Sequence, residues 1–268
     1  MDVFELVVAY VFAGLFGICI GSFLNVVIYR VPNGMSVAFP GSHCPKCGYQ
    51  LKWYDNIPVL SYLMLGGKCR GCKERISPRY ATVELANMLL WLLSVALFWE
   101  RSIVFACIAA FASSLMICVF YIDIDHKLVF DRFVIMIGVL GIVAIFFDPS
   151  YAWYSHLIGG VAGFVTFYLI AWGFEKLRGI EGLGGGDIKL TAVCGLLLGW
   201  ERLLLSVLIA AVSASVVLVI LSKRAERKSG DGAEIEYPFA PFLTSGFAIA
   251  MFFGDTIINW YLALIGLN

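Results

Sequence analysis

The chain has 268 residues, of which 61% are apolar and 14% charged, with a mean hydropathy of +0.89. An ordinary soluble domain carries about 25% charged residues, so this composition excludes a soluble globular protein, and its hydrophobicity excludes a disordered one. Lys plus Arg and Asp plus Glu balance at 19 each, which gives no electrostatic reason for a nucleic-acid partner.

Eight apolar segments follow in chain order, near 5–28, 81–99, 103–121, 133–147, 156–174, 187–200, 203–221 and 239–265. Most lack two-residue alternation, which argues against a membrane barrel. At about 20 residues per spanning helix, they predict an all-α polytopic membrane protein with about eight transmembrane helices. The sixth segment is short, starts in a glycine run, and is expected to be re-entrant or packed deep in protein. The start, Met1-Asp2-Val3-Phe4-Glu5, lacks a basic n-region and does not read as a cleaved signal.

The basic residues fix a direction. With the N-terminus outside, 17 of the 19 Lys and Arg residues fall on the inner side, and only Arg101 and Arg202 fall outside. The reverse orientation violates the positive-inside bias. The predicted organisation is a first transmembrane helix over 1–30, a cytoplasmic loop domain over 31–80, and a seven-helix membrane domain over 81–268.

Fifty residues build too small a core to fold unaided, so the loop is expected to carry a staple. It holds Cys44-Pro45-Lys46-Cys47 and Cys69-Arg70-Gly71-Cys72. Two C-x-x-C pairs can offer four thiolates to one tetrahedral Zn²⁺, and a cytoplasmic location disfavours disulfides. The reading is a zinc-ribbon-like domain with Cys44, Cys47, Cys69 and Cys72 as ligands of a structural zinc. The alternative is a redox dithiol pair or free thiols. Cys19, Cys107, Cys118 and Cys194 lie within apolar segments and read as small buried hydrophobes.

Charged groups at membrane depth are functional candidates by default. Asp123 opens the stretch Asp123-Ile124-Asp125-His126-Lys127-Leu128-Val129-Phe130-Asp131 at the end of the third segment. Asp187 follows Gly182-Leu183-Gly184-Gly185-Gly186 at the start of the sixth. Under the topology above, both meet the inner face. Two carboxylates that share a proton can work as base and acid in amide hydrolysis, and glycines before Asp187 would let a peptide backbone approach. Asp125, His126 and Asp131 read as a solvated turn, and Lys189 as a snorkelling residue or a counter-charge to Asp187. Spacing alone leaves a coupled ion or proton site open. The expected placement of Asp123 at a helix C-terminus and Asp187 at a helix N-terminus would give the charge to Asp187 and the shared proton to Asp123. Gly159 and Gly163 form a small-xxx-small pair suited to close helix packing, and 223–237 reads as a mobile charged loop.

These residues together resemble the type IV prepilin peptidases, the leader peptidase/N-methyltransferases. The resemblance runs through Gly21-Ser22-Phe23-Leu24-Asn25-Val26-Val27-Ile28-Tyr29-Arg30, the cysteine tetrad, Trp53 to Tyr62, Ile76-Ser77-Pro78-Arg79-Tyr80 with Glu84, Asp123 to Asp131, Gly184 to Asp187, and Pro238-Phe239-Ala240-Pro241-Phe242. It implies a membrane aspartic protease over 81–268 with Asp123 and Asp187 as the catalytic pair. It also implies cleavage of prepilin or pseudopilin leaders after a glycine at the cytoplasmic face of a bacterial inner membrane. Methylation of the new N-terminus from S-adenosylmethionine follows from the resemblance alone, with no donor-binding residue identified. The chain departs from the family at Val129-Phe130-Asp131, often Leu-Pro-Asp, and at Arg79-Tyr80-Ala81, often Arg-Tyr-Pro. The alternative from another class is a cation- or proton-coupled transporter with a zinc-bearing regulatory loop, since broken glycine-rich helices suit that class too. A scaffold whose zinc loop binds a partner would leave Asp123 and the glycine run unexplained.

Overall fold

The structure is a computed structural model that describes residues 3–179, 183–229 and 238–266. All eight apolar segments are helices: α1 (Val3–Arg30), α3 (Arg79–Phe98), α4 (Ile103–His126), α5 (Asp131–Phe147), α6 (Trp153–Arg178), α7 (Gly185–Leu198), α8 (Trp200–Ser229) and α9 (Ala240–Leu264). Between α1 and α3 lie a 3-10 turn (Trp53–Asn56) and the five-residue α2 (Leu60–Met64). The described residues contain no strand, only the isolated bridges His43–Gln50 and Lys68–Arg75. Six helices are long and apolar enough to cross a membrane. The other two, α5 and α7, have 17 and 14 residues; at 1.5 Å per residue α7 is about 21 Å long, short of a hydrocarbon core of about 30 Å. The segment 223–237, expected as a loop, is helical to Ser229, because a run of Lys, Arg, Ala and Glu continues a helix readily. Residues 230–237 lie outside the described residues.

The chain divides into two compact units, Met1–Cys118 and Val119–Asn268, with the boundary inside α4. In the first unit α1 lies along α3. A Cβ on Gly21 would stand 2.8 Å from the Glu84 Cα, so only glycine admits this backbone approach. A buried polar pin adds specificity without hydrophobic drive, the usual device where the surroundings are apolar. Asn87 Nδ2 donates to the Gly17 carbonyl (2.7 Å), Ser114 Oγ donates to Asn87 Oδ1 (2.7 Å), and Trp91 Nε1 donates to Ser114 Oγ (2.9 Å).

In the second unit α7 is held between α5 and α6. Gly159 packs against the Gly195 backbone, and a Cβ on Gly163 would come 2.8 Å from the Thr191 carbonyl oxygen. The glycine pair read from the sequence thus forms the α6–α7 crossing. Helix α6 stops at Gly179, in the left-handed conformation (φ 69°), whose N–H caps the Glu175 carbonyl at 2.7 Å. Two of the four cysteines expected as buried hydrophobes, Cys118 and Cys194, are buried. Cys19 and Cys107 are exposed, because each lies on a helix face that lines an open cleft.

Candidate active site and tetracysteine module

Asp123 sits in the last turn of α4 and is 5% exposed. Its Oδ2 accepts the Ala240 N–H at the first residue of α9, at 3.1 Å. The Pro238–Phe242 motif is what starts this helix: Pro241 occupies its first turn, where the missing N–H costs nothing. Asp187 is the third residue of α7, half-buried, with its N–H on the Gly184 carbonyl at 3.0 Å. The two carboxylates, 64 residues apart, lie within electrostatic reach of each other. Both face a helix N-terminus, Asp187 that of α7 and Asp123 that of α9. Asp123 at the C-terminal end of α4 and Asp187 at the N-terminal start of α7 are placed as expected, but the N-terminus of α9 on Asp123 offsets the contrast that these two ends alone would give.

The glycines before Asp187 have separate jobs. A Cβ on Gly186 would stand 2.8 Å from Val129 Cβ, so Gly186 lets the α4–α5 connection close over the start of α7. Val129 belongs to the stretch that departs from the family's usual Leu-Pro-Asp. Gly184 is the N-cap, and a Cβ there would be 3.8 Å from Asp187 Oδ2. Asp125, His126 and Asp131 are exposed, as a solvated turn should be. Lys189 does not balance Asp187: its Nζ reaches Asp131 Oδ1 at 2.8 Å, with both side chains more than half exposed.

The loop of the first unit brings Cys44, Cys47, Cys69 and Cys72 together, all four Sγ atoms lying within 4.8 Å of one another. Cys44 and Cys72 are 3.9 Å apart, and Cys47 and Cys69 4.0 Å. Tetrahedral Zn²⁺ with Zn–S of about 2.3 Å spaces sulfurs by about 3.8 Å, so the donor set fits zinc. The two halves are built alike. The N–H of each first cysteine bonds the carbonyl five residues on, Cys44 to Tyr49 (2.9 Å) and Cys69 to Glu74 (2.8 Å). Gly48 (φ 71°) and Lys73 (φ 61°) take the left-handed position in the respective turns. The Cys47 and Lys46 amides turn toward the Cys44 sulfur and lower its pKa to about 7. At Cys72 the Glu74 amide favours the thiolate, but burial and the neighbouring thiols outweigh it and push the group up to about 11. Four thiols crowded together ionise in sequence unless a cation compensates them.

A salt-bridged staple braces the two halves. Asp55, 7% exposed, accepts Arg70 Nε at 2.7 Å and the Tyr49 hydroxyl at 3.1 Å. Arg70 lies 5.2 Å above the Tyr54 ring, a cation–π geometry.

Two groups were not legible as partners in the sequence. Glu84, on α3, accepts the Val59 N–H at 2.7 Å. It thereby holds Val59 at φ 59°, a conformation costly for a β-branched residue. With Asn25 Nδ2 on the Tyr80 carbonyl (3.0 Å) and Arg30 on the Ser36 carbonyl (3.0 Å), the polar residues of the Gly21–Arg30 motif anchor the loop. The second group lies at the opposite end of α7 from Asp187. Arg202 is fully buried, with Nε and Nη2 on Asp255 (2.9 and 2.8 Å), Nη1 on Asp148 Oδ2 (2.8 Å) and its guanidinium 4.6 Å above the Tyr151 ring. Tyr151 donates to Asp255 at 3.0 Å.

An all-helical polytopic membrane protein with a tetracysteine module in one unit and two carboxylates within electrostatic reach of each other in the other is the class these features define. The chain belongs to the type IV leader peptidase family. Residues 109–219 match that family and residues 15–98 match the bacterial peptidase A24 N-terminal domain. Among curated relatives, a prepilin leader peptidase/N-methyltransferase of Pseudomonas aeruginosa is 33% identical over 94% of this chain and 93% of its own length. Proteins of the same name are 35% identical in Burkholderia pseudomallei (95% and 88%) and 33% in Aeromonas salmonicida (94% and 93%). The transporter alternative finds no support in these relatives. No solved structure matches the chain significantly.

Proposed function

We propose that the protein cleaves the leader of type IV prepilins and type II secretion pseudopilins after a glycine and then N-methylates the new N-terminal residue. The observation that carries this reading is the approach of Asp123 and Asp187 within one unit of a chain that belongs to the leader peptidase family. One carboxylate takes a proton from water as it attacks the scissile carbonyl; the other gives its proton to the departing amide nitrogen. A pair that shares one proton supplies both roles, and its titration belongs to the pair. Gly184 and Gly185 bring no side chain of their own to the start of α7 beside this carboxylate.

The N-terminus is placed outside, with the zinc loop and the aspartates at the cytoplasmic face of the bacterial inner membrane; the charge distribution along the chain supports this direction. Cys44, Cys47, Cys69 and Cys72 would hold Zn²⁺ in a closed four-thiolate site that folds the loop and performs no chemistry. S-adenosylmethionine supplies the methyl group.

Incubating the detergent-purified protein with a prepilin and S-adenosylmethionine, and reading the product N-terminus by mass spectrometry, tests both halves. A trimmed, singly methylated product that is lost with Asp187→Asn is expected. Failure to trim any of several prepilins refutes the reading.

A further inference from the structure

Helix α2 (Leu60–Met64), in the loop of the first unit, presents an apolar face with nothing on it. Leu60, Leu63 and Met64 stand at i, i+3 and i+4, the spacing of one helix face, and are 50%, 68% and 78% exposed. Tyr62, between them, turns the other way, onto the turn that leads into Cys69: a Cβ on Gly67 would stand 3.0 Å from its ring, and the Gly67 N–H bonds its carbonyl at 2.9 Å. Trp53, in the 3-10 turn that packs on α2, is exposed as well. Large apolar side chains gathered on one exposed face mark a contact surface.

A hydrogen bond fixes how deep this face lies. The N–H of Val59, the residue before α2, bonds Glu84 at 2.7 Å. Glu84 is the sixth residue of the membrane-spanning α3, which begins at Arg79 and has 20 residues. At 1.5 Å per residue α3 is about 30 Å long and matches the hydrocarbon core. Glu84 then lies about 7.5 Å inside its end, and the start of α2 is pinned at that level. Interfacial helices seat their apolar face about 5–10 Å into the boundary between headgroups and acyl chains. The charge of the loop is complementary to a lipid surface. Residues 31–80 carry seven Lys and Arg against two Asp and Glu, and a Zn²⁺ on four thiolates, at −2, would still leave them at +3; the cytoplasmic leaflet is negative. From this geometry, we infer that α2 is an interfacial anchor. Leu60, Leu63 and Met64 enter the acyl region of the leaflet beside α1 and α3, and the basic residues of the loop meet anionic headgroups. The tetracysteine module is thereby held against the bilayer instead of being tethered only at its two ends. Which leaflet this is rests on the topology proposed above; the depth of α2 does not.

Depth is measurable on the full-length, zinc-loaded protein in nanodiscs of phosphatidylethanolamine and phosphatidylglycerol. The exposed Cys19 and Cys107 are replaced by Ala, and a nitroxide is attached to Leu63→Cys or, in a second variant, to Met64→Cys. Zinc content is measured in each, and the same protein without the added cysteine measures residual labelling. A label at Gln50→Cys, an exposed polar position, gives the aqueous reference. Collisions with oxygen, which dissolves among acyl chains, are compared with those of a water-soluble nickel chelate. The oxygen-to-nickel ratio at both α2 positions should exceed the reference by an order of magnitude. Leu60→Ser with Met64→Ser should return the Leu63→Cys label most of the way to the reference. A Leu63→Cys label as open to nickel as the one at Gln50→Cys overturns the anchor. Low access to both probes means that protein covers the face, from a second copy or another part of the chain, and overturns it too. So does protection that appears only when prepilin is added. A label that keeps its depth after Leu60→Ser and Met64→Ser assigns that depth to the Val59–Glu84 bond alone, and the anchor fails. Nanodiscs expose both faces of the bilayer, and no outcome depends on leader cleavage. Failure of the anchor is therefore separable from failure of the proposed topology or function.

Discussion

Two buried charged groups occupy the second unit, and they are built on opposite principles. Around Arg202, two carboxylates, a tyrosine hydroxyl and an aromatic face compensate one guanidinium. Around Asp123 and Asp187, two like charges meet; the Ala240 N–H bonds Asp123, and among the described residues no cation pairs with either carboxylate. The nearby Lys189 is turned away to the exposed Asp131. Buried charge that is fully paired holds helices in register; buried charge left unpaired is a store of proton affinity. The same residue type, aspartate, serves both ends of α7, and the neighbours alone decide whether it carries structure or chemistry.

Substitution should separate the two groups by what is lost. Asp123→Asn and Asp187→Asn are each expected to lower leader cleavage by about 10²–10⁴-fold, the range for removing a general acid or base. Both should melt at or above the wild-type temperature, because a like-charge contact is relieved. Activity assays beside thermal melts in detergent check this, and a large loss of stability in either variant would erase the distinction. Arg202→Met should do the reverse. It strands Asp148 and Asp255 and should cost about 3–5 kcal/mol, with cleavage per folded molecule close to wild type. Gly186→Ala stands between them. Its Cβ would meet Val129 at 2.8 Å, an overpacking worth about 1–3 kcal/mol, and it should displace Asp187 enough to slow cleavage. Val129→Ala in the same chain should restore part of both, a coupling that a double-mutant cycle measures.

Much of this was legible in the sequence, for identifiable reasons. Each apolar run of sufficient length became a helix, because a backbone in an apolar medium must satisfy its own hydrogen bonds. The cysteine spacing carried its own geometry, and Gly159 with Gly163 marked a helix crossing. What the sequence withheld was pairing at long range. Nothing local ties Arg202 to Asp148 and Asp255, 54 and 53 residues away, although its isolation among the basic residues was a signal that it was doing something other than orienting the chain. Ala240 as the donor to Asp123, 117 residues away, was equally out of reach, and with it went the reading of the two aspartates by helix ends. The extension of α8 to Ser229 differs from the loop expected over 223–237 because charge marks the end of apolar burial and not the end of a helix.

The smallest expected effect extends the comparison to the loop, where Asp55 is a third aspartate and a compensated one. Burial alone would raise its pKa, but the Arg70 and Tyr49 hydrogen bonds and the Arg70 charge outweigh it and hold the group below its ordinary 3.8. A carboxylate whose native pKa is depressed contributes stability that is complete above its unfolded pKa. That contribution fades as pH falls toward the native value and is gone below it. Asp55→Asn should therefore lower the melting temperature of the zinc-loaded protein by a constant amount at neutral pH, and the gap from wild type should close below about pH 4. Arg70 is 45% exposed on its side chain, so solvent screens the pair and the gap is small. Acid also releases zinc by protonating the thiolates, but that loss is common to both proteins and cancels in the difference. A gap that widened on acidification would show Asp55 to be held protonated in the native loop, and would remove it from the compensated class.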